Sequence, residues 1–243
     1  MRKNIALIPA AGVGSRFGAG KPKQYVEIGG QTVLAHTVER FAAHPQIDYV
    51  AVVLSPDDTH FSSAETCFLT ESGFQTATPR VGVFHVGGDT RAETVRNGVN
   101  ALLAQGLAAA HDNILVHDAA RCCLPEEALN RLLAQAADAP QGGILAVPVA
   151  DTLKRADTKG GIVATLDRSG LWQAQTPQLF QAALLQRALS EQNLEGITDE
   201  ASAVERLGVQ PLLVEGDIRN LKLTLPQDEV MVRLLLAAET AEV

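Results

Sequence analysis

Short runs of apolar and β-branched residues alternate along the chain with longer stretches whose apolar positions recur every three to four residues. The short runs predict strands over 4–9, 49–54, 81–86, 113–117, 143–149, 209–214 and 218–224. The longer stretches predict helices over 32–43, 57–70, 90–105, 125–137, 181–190, 198–207 and 227–240. Three strands, "IALI", "VAVVL" and "NILV", are almost purely apolar, as strands covered on both faces must be. This alternation predicts an α/β fold with a doubly wound, mostly parallel sheet and right-handed crossovers. Ligands of such sheets bind beyond the carboxyl ends of the strands, so the segments after each strand carry the candidate chemistry.

One stretch breaks the alternation. Residues 151–170, "DTLKRADTKGGIVATLDRSG", read as two short strands of mixed polarity around a turn at 157–161. A two-stranded hairpin is marginal alone in water. This one is expected to lie as an arm on something else, and a second subunit is the simplest support.

Composition narrows the class. A chain of 243 residues, 46% hydrophobic and 20% charged, suits one soluble domain. The net charge of −8 argues against general nucleic-acid binding. No run is long and apolar enough for a membrane span, and "MRKNIALIPA" enters a strand without the pattern of a signal peptide. Of the three cysteines, Cys122 and Cys123 are adjacent, too close for a relaxed disulfide. Reduced thiols and a cytoplasmic setting are therefore expected, and no Cys/His spacing resembles a zinc site. With Val243 soon after the last expected helix, no fused second enzyme is expected.

The first strand is followed by "AAGVGSRFGAGKPKQYVEIGG", where Arg16, Lys21 and Lys23 stand against Glu27 alone. Glycines let backbone N–H groups approach phosphate oxygens that a Cβ would obstruct. The dinucleotide pattern fails because Phe17 stands where its second spacing needs glycine. The P-loop pattern fails because Pro22 follows Lys21. A loop that binds a triphosphate remains the preferred reading over a plain linker. After the third strand comes "HVGGDTRAETV", in which Thr90 and Glu93 have capping-box spacing. A well-capped helix explains those two residues but not Gly87 and Gly88. After the fourth comes "LVHDAARCC". Asp118 is placed to meet a magnesium–phosphate complex or a ribose hydroxyl, and Arg121 could equally pair with it structurally. His117 continues the strand alternation and reads as packed in the core. The two cysteines read as small buried apolar groups.

Seven segments in order, "PAAGVGSRFGAGKPKQY", "GGDTR", "VHDAAR", "DTLKR", "LDRSGLWQAQTPQ", "TDEASAVE" and "NLKLT", resemble the 2-C-methyl-D-erythritol 4-phosphate cytidylyltransferase family over nearly the whole chain. The resemblance implies a Rossmann-like sheet in a homodimer clasped by β-arms, with residues 151–170 as the arm. It implies Arg16 and Lys23 at the triphosphate, stabilising the transition state. Ala10, Ala11, Gly12 and Gly14, with Gly88, Asp89 and Thr94, correspond to the nucleotide site. Asp118 corresponds to the acidic residue beside the ribose and the magnesium or other divalent ion. Thr152 and Arg168 on the arm, with Lys222, correspond to groups that hold the methylerythritol phosphate, the arm residues serving the neighbouring subunit. Two positions depart from the usual pattern: Cys122 replaces a proline, and Thr94 replaces a serine while keeping a hydroxyl.

CTP and methylerythritol phosphate are thus the implied substrates. A cytidylyltransferase for another polyol phosphate, such as ribitol 5-phosphate, would share the nucleotide loop and differ around Thr152, Arg168 and Lys222. An NAD-dependent oxidoreductase is disfavoured by the failed dinucleotide pattern. A nucleotide sensor without catalysis has no reason to combine Arg16 and Lys23 with acceptor-binding cations.

Overall fold

A computed structural model describes residues 2–12, 22–61, 80–190 and 194–241. The chain begins with β1 (Asn4–Pro9), a 3₁₀ turn (Lys23–Tyr25), the two short strands β2 (Glu27–Ile28) and β3 (Gln31–Thr32), and α1 (Val33–Ala42). β4 (Tyr49–Val53), β5 (Val81–Phe84), α2 (Arg91–Ala104), β6 (Asn113–Val116), α3 (Glu126–Ala136) and β7 (Gly143–Pro148) follow. The arm is β8 (Leu153–Ala156) and β9 (Ile162–Leu166). The remainder is β10 (Trp172–Gln181), α4 (Ala182–Ala188), α5 (Glu200–Glu205), β11 (Leu212–Glu215) and α6 (Asp228–Ala241).

Period-two alternation divides each central strand between two cores. On β1, Ala6 and Ile8 face one cluster while Ile5 and Leu7 face another. On β4, Val50 and Val52 join the first, Ala51 and Val53 the second. Both faces therefore need helices. α1 and α3 cover the first through Leu34, Val38 and Phe41 and through Leu129, Leu132 and Leu133. α2, α4 and α5 cover the second through Val95, Val99, Leu185 and Val204. Among the described residues, no helix is long and apolar enough to cross a membrane.

Seven strands form one sheet in the order β11–β7–β10–β6–β1–β4–β5. β4 and β6 flank β1 in parallel, β5 adds to β4, and β11 runs parallel to β7. The chain moves outward from β1 to β5 and then crosses back to β6. The topological switch lies between β1 and β6, and the crevice beyond their carboxyl ends is the place for a ligand.

The expected doubly wound, mostly parallel architecture is present, with four differences of detail. β10 is a ten-residue strand that sequence periodicity does not reveal, antiparallel to both β6 and β7. Its polar run, Gln173, Gln175, Thr176 and Gln178, masks the pattern. So does Pro177, which has no N–H, and the ladder with β7 shifts register between Ala174 and Gln178. The expected strand 218–224 does not form. Arg219 N–H bonds the Asp217 carboxylate at 2.8 Å and Asn220 N–H bonds the Asp217 carbonyl at 3.1 Å, so the chain turns instead of extending. The expected helix 57–70 is absent over 57–61, where Asp58 accepts the N–H groups of His60 and Phe61, while 62–70 fall outside the described residues. The short β2–β3 hairpin, paired Glu27 to Thr32, was not foreseen.

α2 lies close against the sheet because of Gly98. A Cβ there would sit 2.7 Å from Val53 Cγ2 and 2.9 Å from Leu7 Cδ1. Gly98→Leu is expected to force α2 away from β1 and β4, destabilising by about 1–3 kcal/mol, the usual cost of overpacking. For a chain of this size that lowers the melting temperature by roughly 2–12 °C. An unchanged thermal melt would show that this close approach is not required.

Candidate active site

Three loops meet beyond the carboxyl ends of β1, β5 and β6. The first is Ala10–Gly12. Ala10 N–H continues the ladder to Val53 O at 2.8 Å. Beyond it the chain leaves the sheet, and Gln24 takes over. From the 3₁₀ turn this buried amide donates to both Ala10 O and Gly12 O at 2.9 Å. Lys23, next to it in the turn, faces the same cavity.

The second loop runs from Gly87 to Thr90. A Cβ on Gly87 would lie 2.4 Å from Ala11 Cβ and 2.7 Å from Leu54 O, so only glycine lets this loop touch the first. That close approach is the role the capped-helix reading left unexplained. Thr90 and Glu93 form the capping box, with Thr90 Oγ1 accepting from Glu93 N–H at 3.1 Å. Thr94 is buried; its hydroxyl accepts from Gly88 N–H at 3.1 Å and donates to Thr90 O at 2.9 Å. It thereby shapes the Gly88 backbone from beneath.

The third loop follows β6. His117 is fully buried, as the alternation implied. Its Nε2 lies 3.0 Å from Arg121 O and must carry the proton, so Nδ1 accepts from the Thr176 hydroxyl at 3.0 Å. Burial pulls its pKa down to about 4, leaving a neutral imidazole with both nitrogens engaged. Asp118 N–H donates to the same Thr176 hydroxyl at 3.1 Å, which ties the carboxylate to β10.

Asp118 is the electrostatic centre. Its Oδ1 accepts from Arg91 Nε at 2.9 Å, its Oδ2 from Lys222 Nζ at 2.8 Å, and Arg121 Nε stands 3.5 Å from Oδ2. Burial alone would raise this carboxyl. The Arg91 and Lys222 cations outweigh burial and hold it well below the usual carboxylate range. Arg91, the first residue of α2, reaches onward to Glu200 with Nη1–Oε1 at 2.6 Å and Nη2–Oε2 at 3.0 Å. Burial pushes the Glu200 carboxyl up against that pull.

Lys222 arrives on the segment that was expected to be a strand. Its place is set by side chains rather than by a ladder. Asn220 Nδ2 donates to Thr176 O at 2.7 Å, Arg121 Nη1 to Asn220 O at 2.6 Å, and Leu223 N–H to Ala120 O at 2.8 Å.

The result is one cavity of about 250 Å³. It gathers the nucleotide candidates Ala10, Ala11, Gly12, Gly88, Asp89 and Thr94. Lys23, Asp118 and Lys222 line it as well. Thr152 and Arg168 are exposed on or beside the arm and do not line it. Gly14 and Arg16 lie outside the described residues. Sequence reasoning passed over Gln24, Arg91, Thr176 and Glu200. Arg91 and Glu200 each follow a helix cap, where a charge reads as a surface residue. Only the fold reveals that these two point at each other.

Comparison with known proteins bears on the same residues. A family model described as IspD, 2-C-methyl-D-erythritol 4-phosphate cytidylyltransferase, matches residues 4–238. A protein of Neisseria gonorrhoeae named 2-C-methyl-D-erythritol 4-phosphate cytidylyltransferase is 67% identical over 237 residues, covering 98% of this chain and 99% of its own length. One of the same name from Neisseria meningitidis is 65% identical over 237 residues, with 98% and 99% covered. A crystal structure of 4-diphosphocytidyl-2C-methyl-D-erythritol synthase is similar with a TM-score of 0.83 at 63% identity, over 97% of this chain and 99% of that one.

The buried His117 makes stability depend on pH. Its pKa is about 4 when folded against 6.5 for the free side chain, so between those values the unfolded chain binds more protons. Stability is then expected to fall as pH drops from about 6.5 to about 4, by roughly 3 kcal/mol at 1.36 kcal/mol per pKa unit. Urea midpoints of the protein and of His117→Gln across this window measure it. Equal slopes in the two would rule out a neutral buried imidazole.

Proposed function

The chain belongs to the 2-C-methyl-D-erythritol 4-phosphate cytidylyltransferase family, and on that premise we propose that it transfers CMP from CTP to 2-C-methyl-D-erythritol 4-phosphate. The products are 4-diphosphocytidyl-2-C-methyl-D-erythritol and pyrophosphate. One observation carries the reading: Lys23 and Lys222 enter one crevice at the β1/β6 switch, around a carboxylate kept ionised by its neighbours.

An oxygen of the acceptor phosphate attacks the α-phosphorus in line. The new P–O bond forms as the bond to the β-phosphate oxygen breaks, and pyrophosphate leaves with that electron pair. A phosphate monoester is mostly dianionic at pH 7, its second pKa being about 6, so no general base is needed. The site matches that requirement. His117 has both nitrogens occupied, and Asp118 is held by cations and too weakly basic to take a proton. The obstacle is charge: two unit charges 4 Å apart at an effective dielectric of 20 repel by about 4 kcal/mol. Lys23, with Arg16, neutralises the triphosphate, while Lys222 orients the attacking phosphate. Ala10, Ala11, Gly12, Gly88, Asp89 and Thr94 form the nucleotide surface, its backbone at Ala10, Gly12 and Gly88 shaped by Gln24 and Thr94. Gly14 is assigned to it by the family resemblance alone.

A divalent cation, magnesium or another, fits as an ion that arrives on the triphosphate. Among the described residues no three His, Cys, Asp or Glu side chains cluster to cage one. Asp118 would face such an ion through water, since Arg91 and Lys222 occupy its two oxygens, and the phosphates would supply the direct ligands. Such an ion would neutralise charge on the phosphates.

The arm exposes apolar area that a lone subunit leaves wet. Ile162 is 69% exposed, Val163 58%, and beyond the arm Leu171 is 40% and Trp172 38% exposed. A homodimer that covers these residues, with Thr152 and Arg168 entering the partner's crevice, is the assembly we propose. We place it in the cytoplasm, where the free thiols of Cys122 and Cys123 stay reduced.

Release of pyrophosphate from CTP, with methylerythritol phosphate and ribitol phosphate offered in parallel, tests the activity. Turnover with the first acceptor is expected, and preference for the second would overturn the assignment. Lys23→Ala is expected to lower kcat by roughly 10²-fold, on the scale of a lost transition-state donor. The shared site has its own check. Mixed dimers of Lys23→Ala with Arg168→Ala should regain activity, because one of their two sites carries neither defect. Subunit exchange without regained activity would confine Arg168 to its own subunit.

A further inference from the structure

Asp118 offers two oxygens, and the structure divides them between two cations. Arg91 takes Oδ1 through Nε at 2.9 Å, and Lys222 takes Oδ2 at 2.8 Å. An arginine beside a carboxylate ordinarily docks as a fork, with two parallel N–H···O bonds across both oxygens. Arg91 does not, because Glu200 engages Nη1 at 2.6 Å and Nη2 at 3.0 Å. Glu200 is itself buried and held from both sides. It is 1% exposed, and it opens α5 directly after Asp199, whose carboxylate accepts from Gln178 Nε2 at 2.8 Å. Ala201 N–H, on its other side, donates to Gln178 Oε1 at 2.8 Å. β10 thus holds Glu200 at both flanking residues. The remaining neighbour, Arg121, attends Oδ2 only through Nε at 3.5 Å, farther than Lys222, because its Nη1 donates to Asn220 O at 2.6 Å.

We propose that Glu200 is a positioning residue that acts through Arg91: by holding the guanidinium fork, it leaves Asp118 Oδ2 for Lys222. Without the Glu200 carboxylate, the fork rotates onto both Asp118 oxygens and displaces Lys222 from its seat. The ammonium group, whose side chain is already 39% exposed, then loses its fixed position in the cavity. The pairing stands on the geometry alone. Its consequence for turnover rests on the reading above, in which Lys222 orients the acceptor phosphate.

The test uses the full chain and two readouts. The first is the ¹H–¹⁵N resonance of the Lys222 ammonium group, identified by its loss in Lys222→Arg and seen only when an ion pair slows exchange. It is expected in the parent protein and lost in Glu200→Gln. The second is steady-state kinetics of pyrophosphate release. Glu200→Gln should raise KM for methylerythritol phosphate about tenfold and change KM for CTP less than twofold, and Glu200→Asp should fall between. Adding Arg91→Lys to either variant removes the fork and should restore the Lys222 resonance, a rescue that a merely structural role would not produce. If Glu200→Gln does not fold, Glu200→Asp with and without Arg91→Lys decides the matter. An unchanged Lys222 resonance in the Glu200 variants, or no rescue in the double variants, overturns the proposal. A resonance that responds as stated in a protein that does not turn over methylerythritol phosphate overturns the functional reading alone.

Discussion

An ionised carboxylate in a protein interior has to be compensated, and the demands of Asp118 organise much of this molecule. Its compensating cations come from three separate places: the start of α2, the loop after β6, and the segment before α6. Each reaches Asp118 only if its element sits correctly on the sheet. A buried charge of this kind is costly when left unpaired and adds little when paired. Its effect here is to specify arrangement, drawing the ends of β1, β5 and β6 and a distant segment into one crevice.

Thr176 is the mechanical link in that arrangement. One hydroxyl accepts the Asp118 N–H and donates to His117, and the carbonyl of the same residue accepts from Asn220. β10 thereby holds both members of the Asp118–Lys222 pair. Running antiparallel between β6 and β7, it also brings Gln178 to the start of α5, where Glu200 stands. The polar residues that hide this strand from periodicity, Gln175, Thr176 and Gln178, are buried because each one holds a neighbouring segment.

The chemistry follows from rigid placement more than from proton transfer. Among the described residues around the crevice, Asp118, Arg91 and Lys222 are paired and His117 is buried neutral, and the reaction proposed needs neither an acid nor a base. What it needs is positive charge at fixed points facing two polyanions. The fold supplies backbone loops held by Gln24 and Thr94, and cations anchored by carboxylates.

Much of this was legible in the chain alone. Apolar runs such as "IALI" and "NILV" identify buried parallel strands because a strand covered on both faces takes a polar residue only where a fixed partner satisfies it. The alternation of strand and helix then leads to the doubly wound sheet. The capping box at Thr90, the buried His117 and the hairpin of the arm were likewise readable, since each depends on neighbours within a few residues. Glycines and cations after a first strand pointed to the loop that lines the cavity, although Gly14 and Arg16 lie outside the described residues. Only the tertiary structure decided the rest. The segment 218–224 looked like a strand by composition, yet a ladder needs a partner edge, and the Asp217 turn with Asn220 anchored to β10 leaves it none. Gln24, Arg91 and Glu200 act across 12 to 109 positions of sequence, and no local pattern encodes a bond between residues so far apart. Periodicity reports which face of an element is buried; which charge meets which is settled when the elements pack.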